Sequence, residues 1–267
     1  AYGNEPENWG VSLPGGTPGD FFTLPTVEEV LVGIGGGRGF SIPAGEDQLQ
    51  TLPWTGVDRI SIRFSEHVVV TSGDLQIAGV NVIKYDIVDF QYHQPTATAT
   101  WTLAQPIRAE RLLIELSAGV HDGSNLPLDG NWTDAVSSFP SGNGVIDSGD
   151  VFQFCFNVVP GDVTGDERVN RADLIDLIHS LGDSSTSADS LRRDLTGDGR
   201  VDVDDLRAAL LRLGSRLPSG QPSEIGFATP QAAVDVVFER LGGAGAAARA
   251  DSPKGDDRPL RGETSAL

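Results

Sequence analysis

Two stretches of the sequence nearly repeat each other: residues 162–174 read DVTGDERVNRADL, and residues 194–206 read DLTGDGRVDVDDL. The second begins 32 residues after the first, and each leads into an apolar run that ends in Leu-Gly. Side chains that carry oxygen recur at positions 1, 3, 5, 9 and 12 of both stretches. Ca²⁺ takes about six to eight oxygen ligands, and a twelve-residue loop supplies them from these positions and from the carbonyl of position 7. The repeat therefore predicts two calcium loops.

The predicted ligands follow directly from this spacing. In the first loop they are Asp162, Thr164, Asp166, the carbonyl of Arg168, Asn170 (through a water molecule) and Asp173. In the second loop they are Asp194, Thr196, Asp198, the carbonyl of Arg200, Asp202 and Asp205. Position 8 is apolar in both loops, and we expect Val169 and Val201 to join the loops through a short β-bridge.

The two loops differ at position 6, where the backbone turns sharply and Gly is usual. Gly199 fits this position in the second loop, whereas Glu167 stands there in the first, and a residue with a Cβ is disfavoured at a positive φ. The second loop also has a fourth ligand carboxylate, Asp202, at the position of Asn170. We therefore expect two Ca²⁺ sites, of which the second is tighter.

The last ligand of each loop is Asp rather than the Glu of the EF-hand pattern, and a helix-like run follows each loop. This combination resembles the type I dockerin module over about residues 160–214. The resemblance implies a small all-α calcium-binding fold of paired loop–helix motifs that docks onto a cohesin domain. In that family a small hydroxyl pair before the last ligand often contacts the cohesin. The corresponding partner-binding positions here hold Arg171 and Ala172 in the first loop and Val203 and Asp204 in the second, which counts against a cohesin contact.

Apolar residues after both loops recur at helical spacing, and Gly182 and Gly214 stand where a helix C-terminus favours Gly. A further helical turn is predicted at residues 188–192. Each loop–helix unit is too small to bury its own apolar face, so we expect the two units to pack together. Metal binding then contributes to the folding free energy.

Residues 51–160 contain several short strands with alternating apolar and polar residues, separated by Gly, Pro, Asn and Asp. Residues 58–64 and 96–103 alternate most clearly, which makes Trp101 a predicted core residue. The spacing predicts an antiparallel β-sandwich. The segments 60–66, 112–116 and 122–130 resemble the Ig-like repeats of bacterial surface proteins and exoproteins. The predicted fold is therefore mainly β, an Ig-like sandwich followed by the small helical domain. That pairing resembles large secreted proteins of planctomycete-type bacteria.

The chain outside the predicted sandwich divides into three segments. Residues 1–50 are predicted to be an N-terminal extension and linker with one edge strand near residues 27–32. Residues 161–214 form the calcium-binding domain, and residues 215–267 are predicted to be a largely disordered tail. An amphipathic helix at 230–241 interrupts this tail and presents Val234, Val237, Phe238 and Leu241 as partner-binding residues, for this chain or for another.

The net charge of −19 argues against nucleic acid and anionic membrane surfaces as partners. No apolar run is long enough to insert into a bilayer. One cysteine, Cys155, excludes a disulfide within the chain, and the lack of methionine suggests a processed or excised part of a longer protein. Calcium loops of this charge suit millimolar extracellular calcium, so we expect a secreted or cell-surface protein.

No pattern in the sequence predicts catalysis, and we expect a non-enzymatic region. The glycine-rich residues 33–39 do not open a helix, the four histidines lack metal spacing, and Cys155 lies in an alternating strand. The oxygen-rich loops 122–134 and 143–150 are candidates for a further Ca²⁺.

Three functions remain open. The first is a calcium-stabilised, non-catalytic interaction or anchoring region at the C-terminal end of a large secreted protein, which we prefer. The second is a true dockerin that joins a polysaccharide-degrading enzyme to a cohesin scaffold. The third is a carbohydrate-binding sandwich, for which Trp54 and Trp132 are the candidate aromatic platform.

Overall fold

A computed structural model describes residues 23–146 and 150–223 of the 267-residue chain. The described part consists mainly of β-strands with a few short helices. The strands are β1 Val27–Gly35, β2 Arg38–Ser41, β3 Thr51–Leu52, β4 Arg59–Phe64, β5 Val68–Val69, β6 Leu75–Gly79, β7 Ile87–His93, β8 Thr98–Leu103, β9 Glu110–Leu116, β10 His121–Asp122 and β11 Gln153–Val158. The α-helices are α1 Arg171–His179, α2 Ala188–Arg193 and α3 Val203–Leu210.

The strands form a five-stranded sheet in the order β2-β1-β4-β8-β7 and a four-stranded sheet in the order β3-β11-β9-β6. A small two-stranded sheet joins β5 and β10. Neighbouring strands are antiparallel except β3 and β11, which pair in parallel. We call the described residues from 27 to 158, which hold β1 to β11, the sheet region.

The predicted alternation is confirmed in β4 and β8, where every second side chain is buried. Ile62 and Trp101 from the five-stranded sheet and Ile114 and Phe154 from the four-stranded sheet belong to one hydrophobic core. Burying an apolar side chain of this size contributes about 1.5–3 kcal/mol. The two sheets are therefore held together by the side chains that the alternation turns inward.

Strand β1 corrects the predicted edge strand in the N-terminal segment. It lies between β2 and β4, and Val32 pairs with Phe40 on one side and with Ile60 on the other. The sequence missed β2 because its four residues, Arg38–Ser41, are only partly covered and lack a clear apolar alternation. Residues 27–41 are thus integral to the five-stranded sheet, and the other predicted domain boundaries remain predictions.

The helices after β11 surround a small second core of buried side chains, contributed by Val163, Leu177, Leu195, Val201 and Ala209. Asn170 caps α1 and Asp202 caps α3, and each cap is completed by an aspartate three residues later, Asp173 or Asp205. The predicted turn at 188–192 is helix α2. The predicted helix at 230–241, with Val234, Val237, Phe238 and Leu241, lies outside the described residues. In the described ranges, no helix has the length and apolar character needed to cross a bilayer.

Candidate metal centre

The first residue of each loop is a buried aspartate around which the loop backbone wraps. Asp162 Oδ1 accepts hydrogen bonds from the amides of Gly165 (2.8 Å) and Asp166 (3.1 Å), and its Oδ2 accepts one from Glu167 (2.9 Å). The second loop repeats this pattern. Asp194 accepts from the amides of the residues at positions 4, 5 and 6, which are Gly197, Asp198 and Gly199. The repeated sequence therefore folds into repeated geometry.

The last residue of each loop is fixed by the start of the following helix. Asp173 accepts from the amides of Thr164 (3.0 Å) and Asn170 (2.7 Å), and Asp205 accepts from the matching amides of Thr196 (3.0 Å) and Asp202 (2.8 Å). Because Asp173 and Asp205 complete the helix caps, the helix starts hold these carboxylates beside the loops.

Three carboxylates converge in the first loop. Asp162, Asp166 and Asp173 each place one oxygen so that all three oxygens lie within 4.8 Å of one another, and within residues 23–146 and 150–223 this is the only such group. Ca²⁺–oxygen distances are about 2.3–2.6 Å, so ligands on opposite sides of one ion are up to about 5 Å apart. The donor set and its spacing therefore fit a calcium ion.

Burial opposes the negative charge that these loops concentrate. It raises the pKa of the Asp162 carboxyl and of the Asp205 carboxyl above their usual range, although hydrogen bonds from loop amides and neighbouring hydroxyls partly oppose the shift. A divalent cation would relieve this unfavourable burial of charge.

The remaining ligand candidates stay in the same loops, and their coordination remains a prediction. Thr164 Oγ1 donates to Asp173 (2.8 Å), and Asn170 Nδ2 donates to Asp166 (2.8 Å). Asp198 accepts from the amide of Arg200 as Asp166 accepts from that of Arg168.

Position 6 has the expected positive φ in both loops. Glu167 has a φ of +68° and Gly199 a φ of +102°. Only the second loop therefore places a glycine at its left-handed position, and Glu167 adopts a conformation that is unfavourable for a residue with a side chain.

The expected bridge between Val169 and Val201 is wrong. The amide of Val169 donates to the Ser215 carbonyl (2.8 Å), and its carbonyl accepts from the Gly214 amide (2.9 Å). Val201 uses its backbone groups in the same way with residues 182 and 183. Each loop therefore pairs with the segment that follows the helix of the other loop–helix unit, which leaves no backbone group for the expected bridge.

The partner-binding candidates of the two loops lie on the surface. Arg171 and Ala172 are exposed at the start of α1, and Val203 (67% exposed) and Asp204 are exposed at the start of α3. The same two helices expose a set of larger apolar side chains, which are Ile175, Ile178 and Leu210, and Leu211 is exposed directly after α3.

The sheet region makes contacts with both loops that were not predicted from the sequence. Thr51 Oγ1 donates to Asp162 Oδ2 (2.5 Å), and Arg38 Nη1 donates to Asp194 Oδ2 (2.8 Å). Trp54 Nε1 donates to the Leu191 carbonyl (3.0 Å), and the amide of Thr55 donates to the Leu195 carbonyl (3.0 Å). These partners are more than 100 residues apart in the chain, so local patterns could not reveal them.

The turn between β1 and β2 also packs directly on the second loop. A Cβ added to Gly35 would collide with the Thr196 carbonyl, and one added to Gly197 would collide with the Ile34 carbonyl. The glycine-rich residues 33–39 thus form the end of a hairpin and a close backbone contact.

Among the described residues of the other two acidic loops, no group of three carboxylates lies as close together as in the first calcium loop. Asp122 accepts from the amides of Ser124 and Leu126, and Asp129 accepts from those of Asn143 and Gly144. These aspartates are engaged in shaping turns. Residues 147–149 of the second candidate loop lie outside the described part of the chain.

The structure also bears on Cys155 and on the tryptophans considered as an aromatic platform for sugar binding. Burial and the nearby Asp134 carboxylate raise the pKa of the Cys155 thiol well above its usual range, so the thiol stays protonated at neutral pH. Trp101 is fully buried as predicted, and Trp54 is fully buried too. Trp132 packs against Phe139, Phe152 and Phe154.

Comparison with solved structures gives only distant likenesses. One is the N-terminal part of the bacterial S-layer protein SbsC, with 14% identity and a TM-score of 0.28, covering 50% of this chain and 23% of that chain. Another is the S-layer protein rSbsC(31-844), with 13% identity and a TM-score of 0.26, covering 34% of this chain and 14% of that one. The chain therefore spans less than a quarter of either protein, and scores this low carry no argument about fold or function.

No curated protein matches the chain. One family does match, over the paired loops and their helices. Dockerin domains are non-catalytic modules that bind Ca²⁺ and dock onto another protein. The resemblance inferred from the repeat is thus confirmed: residues 160–209 match the family described as the Dockerin type I domain.

Proposed function

We propose that residues 161–214 bind two Ca²⁺ ions, the second more tightly, and attach a larger secreted or cell-surface protein to a partner protein. The observation that carries calcium binding is the convergence of Asp162, Asp166 and Asp173 within 4.8 Å in the first loop; the carboxylates of the described second loop form no group this close. The second loop has the same hydrogen-bond pattern around Asp194, a glycine at position 6 and a fourth carboxylate, Asp202, which supports a tighter site there.

The docking surface that we propose is the exposed side of α1 and α3. The sheet region covers the backbone of α2 and of the second loop through Trp54, Thr55 and the β1–β2 turn. The exposed apolar side chains Ile178 (51%) and Leu211 (76%) remain open to a partner. Apolar side chains gathered on two packed helices favour binding to protein.

A cohesin domain is the alternative partner. The Dockerin type I match supports it, whereas the charged or apolar side chains of Arg171, Ala172, Val203 and Asp204 lack the hydroxyl pair that the family resemblance leads us to expect. We therefore prefer a partner protein whose surface is complementary to the side chains of these four residues. The alternative of a carbohydrate-binding sandwich is weakened because Trp54 is 0% exposed.

We also propose that the sheet region is an Ig-like sandwich and that the protein acts outside the cell. Two mostly antiparallel sheets that share one core support the first statement. Calcium loops with three or four carboxylates, which suit millimolar calcium, support the second.

Calorimetric Ca²⁺ titration of the chelated full chain, with circular dichroism alongside, tests the proposal. We expect two binding events of unequal affinity and a gain of helix as metal is added. The matched control is the double variant Asp166→Asn, Asp198→Asn, which changes position 5 of both loops and should weaken both events. The lack of binding at millimolar Ca²⁺ would contradict the calcium proposal.

A further inference from the structure

The sheet region contacts the first ligand candidate of each loop, but with different chemistry. Asp162 receives the neutral hydroxyl of Thr51, whereas Asp194 receives the positively charged guanidinium of Arg38. In both cases the donor bonds Oδ2, while Oδ1 accepts two amides of the loop itself. The two loops are therefore alike in backbone geometry, and a guanidinium lies beside each. Arg38 bonds the Asp194 carboxylate directly, whereas Arg192 donates to the backbone carbonyl of Asp162 (3.5 Å).

Arg38 is held in this place by several contacts. Besides Asp194, it donates to Ser185 Oγ (2.9 Å) and to the Ser185 carbonyl (3.3 Å). Its strand begins directly after the β1–β2 turn, and that turn packs against Thr196 and Gly197 without room for a Cβ. The Arg38 guanidinium is therefore part of a packed, hydrogen-bonded interface between β2 and the second loop.

The charge of Arg38 acts on a carboxylate that is sheltered from solvent. The side chain of Asp194 is 0% exposed and that of Arg38 is 35% exposed. Because buried charges are screened less than surface charges, the attraction between Arg38 and Asp194 stabilises the loop when no metal is bound. The same positive charge repels a Ca²⁺ ion that approaches Asp194. Both effects favour the metal-free loop.

We propose that Arg38 is a built-in cation that lowers the Ca²⁺ affinity of the second loop and stabilises its metal-free form. This inference rests on the proposed function of the loops as calcium sites. Arg38 bonds directly to one of the four carboxylates of the second loop and offsets its charge, whereas Arg192 bonds the backbone carbonyl of Asp162 rather than its carboxylate. This direct pair lowers the affinity of the second site below what its four carboxylates alone would give.

The test is Arg38→Gln in the full chain, with Ca²⁺ affinities measured by calorimetry. An Asp166→Asn background weakens the first site, so that the remaining tight event belongs to the second. We expect Arg38→Gln to tighten the second site by about 3- to 10-fold at low salt, and we expect the gain to shrink as salt rises. Chelated Arg38→Gln protein should also unfold at lower urea concentration than the chelated wild type.

The matched control is Arg63→Gln. Arg63 belongs to the same five-stranded sheet, where it pairs with Glu28 (2.8 Å) and Glu29 (3.0 Å), and its loss changes the net charge equally. It should leave the second site within about twofold of the wild type. Equal or weaker Ca²⁺ binding in Arg38→Gln than in Arg63→Gln would overturn the proposal.

The salt dependence of Ca²⁺ binding supplies a second test. The Ca²⁺ affinity of the second loop should fall more steeply with salt in Arg38→Gln than in the wild type, because the variant lacks the cation that offsets one carboxylate. Equal falls in the two proteins would overturn the proposal. A wild type that binds no Ca²⁺ would instead refute the proposed function, so the two failures are distinguishable.

Discussion

At the scale of single residues, position 6 separates two loops that are otherwise alike. Glu167 and Gly199 both have positive φ, and only Gly199 adopts it without a steric penalty. Glu167→Gly should therefore raise the free energy of unfolding by about 1 kcal/mol and tighten the first Ca²⁺ site. Urea unfolding in Ca²⁺ and calorimetry measure the two effects. The reverse change, Gly199→Glu, is the matched control and should weaken the second site; a destabilised Glu167→Gly variant would contradict the argument.

The buried aspartates predict an unusual pH dependence for the metal-free protein. Burial raises the pKa of Asp162 and of Asp205 above the ordinary 3.8, so the folded metal-free state holds these protons more tightly than the unfolded state. Their contribution to stability is fully present below pH 3.8 and is lost as pH rises through the raised pKa values. Ca²⁺ binding should show the opposite trend, because protons compete with the metal.

Urea unfolding of metal-free protein across pH 4 to 7 measures this contribution. Asp162→Asn with Asp205→Asn is the control, because the amides cannot titrate. We expect the free energy of unfolding of the wild type to fall relative to that of the control as pH rises. A difference that stays constant over this range would show that the two carboxylates do not titrate as the structure implies.

At the scale of elements, the two helices depend on residues that the loops also use. Asn170 caps α1 through a hydrogen bond from the Ala172 amide (2.7 Å). Asn170→Ala should lower the free energy of unfolding by about 1 kcal/mol even without Ca²⁺, since the cap does not require metal. Asn170→Ser, which can still cap the helix, should recover most of this loss. Chelated protein gives the measurement; equal losses in both variants would point away from the cap.

The loops and helices could be predicted because their requirements are local. The spacing of Asp162 to Asp173 and the apolar runs after each loop lie within single elements, and the structure confirms the helices in place. The pairing of Val169 and Val201 was mispredicted for the opposite reason. Their partners, residues 214–215 and 182–183, are set by the path of the chain after each helix, which the loop sequence does not encode.

At the scale of the whole described fold, the sequence predicted two separate modules but not the contact between them. Strand β2 was missed because it is short and only partly buried. The contact of Arg38 with Asp194 was missed for the same reason. Thr51 and Trp54 likewise meet partners more than 100 residues away. Contacts of this kind depend on complementary surfaces, for which a single sequence offers no periodic pattern.

The close contact between the β1–β2 turn and the second loop predicts that the sheet region supports calcium binding. Gly35→Ala places a Cβ against the Thr196 carbonyl, so it should lower the free energy of unfolding and weaken the second Ca²⁺ site. Gly37→Ala is the matched control. Gly37 also has a positive φ (+76°), but nothing lies within 4 Å of the added Cβ. Calorimetry and urea unfolding that fail to separate the two variants would argue against this support.

The backbone bonds that replaced the expected bridge also have a mechanical consequence. The first loop and the segment leaving α3 lie side by side, joined between Val169 and Ser215 (2.8 Å) and between Glu167 and Leu217 (2.8 Å). Tension applied along the chain beyond Leu217 would therefore load the first loop, through Glu167 and Val169, as well as α3. A module that tethers one protein to another would in this way divide a pull at its exit between its two loop–helix units.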